Sequence, residues 1–108
     1  MNPSKGNLFD FQKSLSGNFE QFETIISQEN ITVERIISTG QKTPYNQWLE
    51  EDKNEWVVVL QGESEIVFEN GIEFILKTGD YILIPKSTKH RVMHTSSDPA
   101  CIWLAIHY

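Results

Sequence analysis

Cysteine is almost missing from this sequence: Cys101 stands alone in 108 residues. One thiol makes no internal disulfide and no thiolate cluster for a metal. Its neighbours in "PACIWLAIHY" are apolar, which marks Cys101 as a small core residue rather than a nucleophile. Basic residues are scarce too, nine against fifteen acidic ones, for a formal charge of -6. That balance offers no electrostatic footprint for nucleic acid, so no nucleic-acid partner is expected. No apolar run approaches the roughly 18 residues that a bilayer span requires, and no membrane role is expected. The opening "MNPSKGNLFDFQKS" lacks the apolar stretch of a secretory signal, so the expected setting is cytoplasmic. Helical periodicity, internal repeats and low-complexity stretches are absent as well.

What remains is a β pattern. Residues 1–18 carry scattered apolar positions, Leu8, Phe9 and Phe11, and are expected to form a lead-in, with room for one short helical turn, laid against the domain. Residues 19–108 are expected to be a single domain, the usual number for this length. In "ITVERIIST" Ile31, Val33, Arg35 and Ile37 alternate with Thr32, Glu34, Ile36 and Ser38, as a pleated strand requires. "EWVVVLQ" is the strongest strand signal, since β-branched residues dominate it. "ENG" at 69–71 reads as a hairpin turn, and Pro85 stops "YILIP". "HRVMHTS" and "CIWLAIHY" complete the series. Between Gly40 and Glu55 lies one long polar, irregular stretch containing Pro44, Tyr45 and Trp48. Short strands at intervals of about ten residues with turn residues between them predict an all-β sandwich or barrel.

Histidine, limited to His90, His94 and His107, supplies the chemistry of interest. Inside a barrel alternate residues reach the lumen. If His90 faces inward, so do Val92 and His94; if Glu55 does, so do Val57, Val59 and Gln61. A carboxylate and an imidazole meeting there make a plausible site for a divalent metal. On the last strand Trp103, Ala105 and His107 share one face, and Ile102, Leu104 and Ile106 the other. The aliphatic face is expected to pack between the sheets, which leaves Trp103 and His107 to the cavity or the solvent. Tyr45 and Trp48 read equally well as pocket-wall aromatics or as loop anchors. Arg35 is either paired with a nearby carboxylate or an anion clamp in the barrel. Arg91, out of phase with His90, is expected to point outward, and "LEEDKNE" to be a solvated loop.

Two stretches resemble motifs of the cupin superfamily in its small single-domain form. Gly79, "DYILI", Pro85, "KSTK", His90 is similar to the second motif, and Glu55, "WVVVLQ", Gly62 to the end of the first. The resemblance implies a double-stranded β-helix, a jelly-roll-like barrel, commonly seen as a homodimer. It also implies a possible divalent transition metal (Mn, Fe, Ni or Zn) held by Glu55, His90 and Glu51. The family's His-x-His pair ahead of the first-motif Glu has no counterpart here. Counting back from Glu55 places that pair on Leu49 and Glu51, or on Trp48 and Glu50. Counting forward from Gly40 places its first member on Asn46.

Three functions follow from this set. The first is a pocket for a weakly bound divalent metal, a small polar molecule, or both, with Tyr45, Trp48, Arg35, His94 and His107 as ligand-binding candidates. The second is a metal-free ligand-binding or dimerisation module. The third is metal-independent acid/base chemistry such as isomerisation, with His90 held by Glu55. The missing imidazole pair argues against a tight-metal oxygenase, and the fold alone names no reaction.

Overall fold

Alternating β-branched and aromatic residues build eight antiparallel strands in a computed structural model that describes residues 2–11 and 19–108. They are β1 Gln21–Gln28, β2 Ile31–Ser38, β3 Glu55–Gln61, β4 Glu63–Phe68, β5 Glu73–Lys77, β6 Tyr81–Ile84, β7 His90–Thr95 and β8 Cys101–His107. One sheet has the order β1-β2-β8-β3-β6 and the other β5-β4-β7. The two sheets form the walls of a jelly-roll barrel, the expected all-β fold. Residues 12–18 of the expected lead-in lie outside the described residues.

Between the sheets, Val57, Val59, Ile66, Leu76, Ile82, Ile84, Cys101, Trp103 and Ala105 form the core. Cys101 is wholly buried among them, and burial pushes its thiol up to about 12, which removes the thiolate a nucleophile needs. The hairpin at "ENG" closes through Phe68 N–H donating to Ile72 O at 2.9 Å, with Gly71 at φ +89°.

The long stretch ahead of β3 forms no strand of its own, yet it is tied to the free edge of β7. Thr43 N–H donates to Val92 O at 2.9 Å, and Leu49 and His90 exchange backbone hydrogen bonds of 2.7 and 3.0 Å. At the N-terminus Asp10 N–H donates to Asn7 O, which makes a single turn. Arg35 donates to the carbonyls of Asn7, Leu8 and Asp10 and so fastens that turn to β2.

Candidate functional site

Pairing register brings four polar side chains to one end of the barrel. Glu55 on β3 stands opposite His107 on β8, and Glu34 on β2 lies one pair along, opposite Ala105. On the facing sheet, β7 begins at His90. These residues line a cavity of about 380 Å³ whose deeper wall is apolar, with Val57, Ile66, Ile84, Val92 and Trp103. Gln41, Thr43, Pro44, Gln47 and Leu49 of the tethered loop close its other side.

His90 is only 4% exposed. Its Nδ1 lies 2.9 Å from Thr88 O, and a carbonyl only accepts, so Nδ1 carries the proton. In the neutral ring this leaves a bare lone pair at Nε2, 3.9 Å from Glu55 Oε1. His107 Nε2 lies 3.3 Å from Glu34 Oε1 and 3.7 Å from Glu55 Oε2, so its Nε2–H donates to Glu34 with Glu55 alongside. The result is a row, Glu34, His107, Glu55, His90, with Glu55 between the two rings. The 3.7 and 3.9 Å gaps exceed hydrogen-bond length, so Glu55 is beside both rings without being bonded to either. Burial holds the Glu55 carboxyl above the usual carboxylate range. The His107 and His90 imidazoles pull it back down, and the Glu51 and Glu34 carboxylates push it up.

The other candidates fall in different places. Glu51 lines the cavity near its mouth, as does Leu49, so the loop register presents Leu49 and Glu51 rather than Trp48 and Glu50. His107 and Trp103 face the cavity, one of the two places expected for them, while the face that packs between the sheets is that of Trp103 and Ala105 and not the aliphatic one. Both faces of β8 are covered, Ile102 as completely as Trp103, so apolarity did not mark the inner one. His94 turns away from the cavity. The register shifts between Glu65 and Ile66, so that β7 carries one extra residue, Met93, between Val92 and His94. This bulge returns Thr95 to the interior and leaves His94 exposed opposite Glu65.

Arg35 also lies outside the cavity. It is buried against the N-terminal turn and paired with Glu23, the structural alternative among its two readings. Tyr45, 85% exposed, and Trp48 stay outside the cavity lining, with the Arg91 guanidinium 5.1 Å from one ring centroid and 4.6 Å from the other. Arg91 points outward as alternation requires and anchors the loop by this stack. Sequence reasoning missed Glu34, Glu20 and Lys42 of the lining. The available signal was that Glu34, Ile36 and Ser38 share a β2 face, which a barrel lumen tolerates.

This donor set is a poor match for a metal ion. Among the described residues no group of three or more His, Cys, Asp or Glu side chains is placed to hold a metal ion. Each Glu55 oxygen already faces an imidazole, and the positions where an imidazole pair would stand hold Leu49 and Glu51. The residues present do not fit a metal centre, and no step below is routed through one. Among the described residues no helix is long and apolar enough to cross a membrane.

Comparison with known proteins follows this geometry. The cupin domain family model matches residues 35–107. A solved structure from Ralstonia eutropha JMP134, described as a "putative mannose-6-phosphate isomerase", is 33% identical, with 97% of each chain covered and a TM-score of 0.90. A cupin superfamily protein from Desulfitobacterium hafniense DCB-2 is 15% identical over 99% of this chain and 93% of its own, with a TM-score of 0.74. A DMSP lyase from Ruegeria pomeroyi DSS-3 is 16% identical over 82% of this chain and 46% of its own, at 0.68. No curated protein matches the chain.

Proposed function

The chain belongs to the cupin domain family, and from that premise we propose that its cavity binds a small polar molecule and moves a proton on it without a metal. One observation carries this reading: a buried carboxylate, Glu55, stands between two imidazoles in a cavity of about 380 Å³. The lone pair of His90 Nε2 is the base. It takes a proton from a carbon beside a carbonyl, and the electron pair of that C–H bond moves into the forming enediol. The carbonyl oxygen takes its proton from Glu55, whose raised pKa keeps it protonated to higher pH than an ordinary carboxyl. His90 then returns its proton to the former carbonyl carbon while the other enediol hydroxyl gives its proton to the Glu55 carboxylate, which completes an isomerisation with no net oxidant and restores both groups. His107, held by Glu34, keeps Glu55 oriented. The isomerase description of the Ralstonia protein agrees in reaction class.

Solvent exchange tests the reading. Protein stripped with chelator is incubated in D2O with small hydroxy-carbonyl and amino-carbonyl compounds, and deuterium at the carbon beside the carbonyl is followed by NMR. Wild type should exchange at least one compound, and His90→Ala and Glu55→Gln should each slow that exchange by 10²-fold or more, the usual contribution of a positioned base or acid. Exchange that appears only after a divalent metal is added would overturn the metal-free reading.

A homodimer belongs to the same proposal. Strand β1 is a sheet edge bearing exposed Phe22, Ile25 and Ile26, a surface that a second chain would cover. Light scattering should give twice the chain mass, and Ile26→Lys should shift it toward the monomer.

A further inference from the structure

We infer that the cavity selects a small molecule carrying an ammonium group and rejects phosphate esters and carboxylates. This inference rests on the proposed small-molecule site and names its ligand class. Its basis is the charge of the walls. Four carboxylates, Glu20, Glu34, Glu51 and Glu55, face the cavity against one lysine, Lys42, which is exposed at the mouth.

Groups that would recognise a phosphate are turned elsewhere. The chain has two arginines, Arg35 and Arg91. The first is committed to Glu23 and to three carbonyls of the N-terminal turn, the second to Tyr45 and Trp48. Among the described residues there is no helix whose N-terminus could cradle an anion. Two bidentate forks that would suit a phosphate are therefore absent from the lining.

A second observation, the open ring nitrogen of a buried histidine, points to a ligand in this space. His90 is about nineteen-twentieths buried, its Nδ1 is satisfied by Thr88 O, and its Nε2 has no hydrogen-bond partner among the described residues. The open Nε2 is the place for the ligand's acidic C–H, which leaves the ammonium to the wall carboxylates. An ammonium brings three donors and a charge of the sign the walls favour. The apolar wall of Val57, Ile66, Ile84 and Val92 suits its carbon skeleton.

Three probes on one sugar skeleton separate the classes: an amino sugar, the parent neutral sugar and that sugar's 6-phosphate. Binding is read from chemical-shift changes at cavity residues in labelled full-length protein, at matched ionic strength. The amino sugar should bind at least tenfold more tightly than the neutral sugar, and the 6-phosphate should not saturate. Glu51→Lys, a change at an exposed lining position, should narrow or reverse the order. If the 6-phosphate binds as tightly as the amino sugar, the charge argument falls while the small-molecule site stands. If no probe shifts any cavity residue, the site reading itself falls and takes this inference with it.

Discussion

Replacing Gly62 with alanine should damage this fold far more than the same change at Gly71. Both glycines have positive φ, +80° and +89°, so the conformational cost of an L side chain is the same at each, about 1–2 kcal/mol. Their surroundings differ. At Gly71 a Cβ meets nothing within 4 Å. At Gly62 it would lie 2.3 Å from Ser96 Oγ, 2.9 Å from Ala100 O and 3.0 Å from Cys101 Cα. Ser96 can rotate away only by abandoning the hydrogen bond it accepts from Glu63 N–H at 3.1 Å, a loss of about 1 kcal/mol. The other two atoms belong to the backbone that opens β8, and crowding there adds about 1–3 kcal/mol. Gly62→Ala should therefore cost roughly 3–6 kcal/mol and Gly71→Ala about 1–2. For a domain of about 100 residues, that lowers Tm by at least ~12 °C at Gly62. Urea denaturation of the two variants beside wild type measures the difference. Adding Ser96→Ala to Gly62→Ala should recover only part of the loss, since the backbone contacts persist. Equal losses at the two glycines would refute the claim that close approach, rather than φ alone, reserves this position. The point bears on the site, because Gly62 ends the segment that begins with Glu55 and its turn fixes where β3 sits against β8.

Other expectations concern charge and donors. Glu55 has a folded-state pKa above its unfolded one, so its contribution to stability is complete below about 4.5, the ordinary value, and is lost as pH rises through the folded value. Wild type minus Glu55→Gln, followed by denaturation from pH 4 to 8, should show that loss; a flat difference would contradict the burial of a charge there. Arg35→Ala should cost about 1–3 kcal/mol by stranding the carbonyls of the N-terminal turn, whereas Glu23→Ala, at a half-exposed carboxylate, should cost under about 1 kcal/mol; equal costs would mean that the pair, not the N-terminal turn, is what Arg35 supports. Leu49→His combined with Glu51→His should give the cavity a stoichiometric transition metal that wild type does not retain, read by elemental analysis; retention by wild type at the same level would overturn the fit argument.

The strands were legible because hydrophobic alternation and turn residues report local geometry. Glu55 and His90 were legible as neighbours of a barrel interior because Gly62 and Pro85 fix the strand ends beside them. His94 was not, since alternation assumes an unbroken ladder and Met93 inserts a residue that no local pattern announces. His107 stayed ambiguous because both faces of β8 are apolar and both are buried. Glu34 was passed over because a polar residue in an alternating strand reads as solvated, whereas a barrel lumen also takes polar groups. Arg35 could be resolved only by contacts 25 to 28 residues away in sequence, with the carbonyls of residues 7–10.

The central claim is that His90 works as a base through a bare Nε2, and imidazole 15N NMR of metal-free protein tests it most directly. Neutral His90 should show a protonated Nδ1 and an unprotonated Nε2, and the Nε2 resonance should move when a cavity ligand is added. A spectrum with the proton on Nε2, unchanged by every ligand tried, would contradict the account.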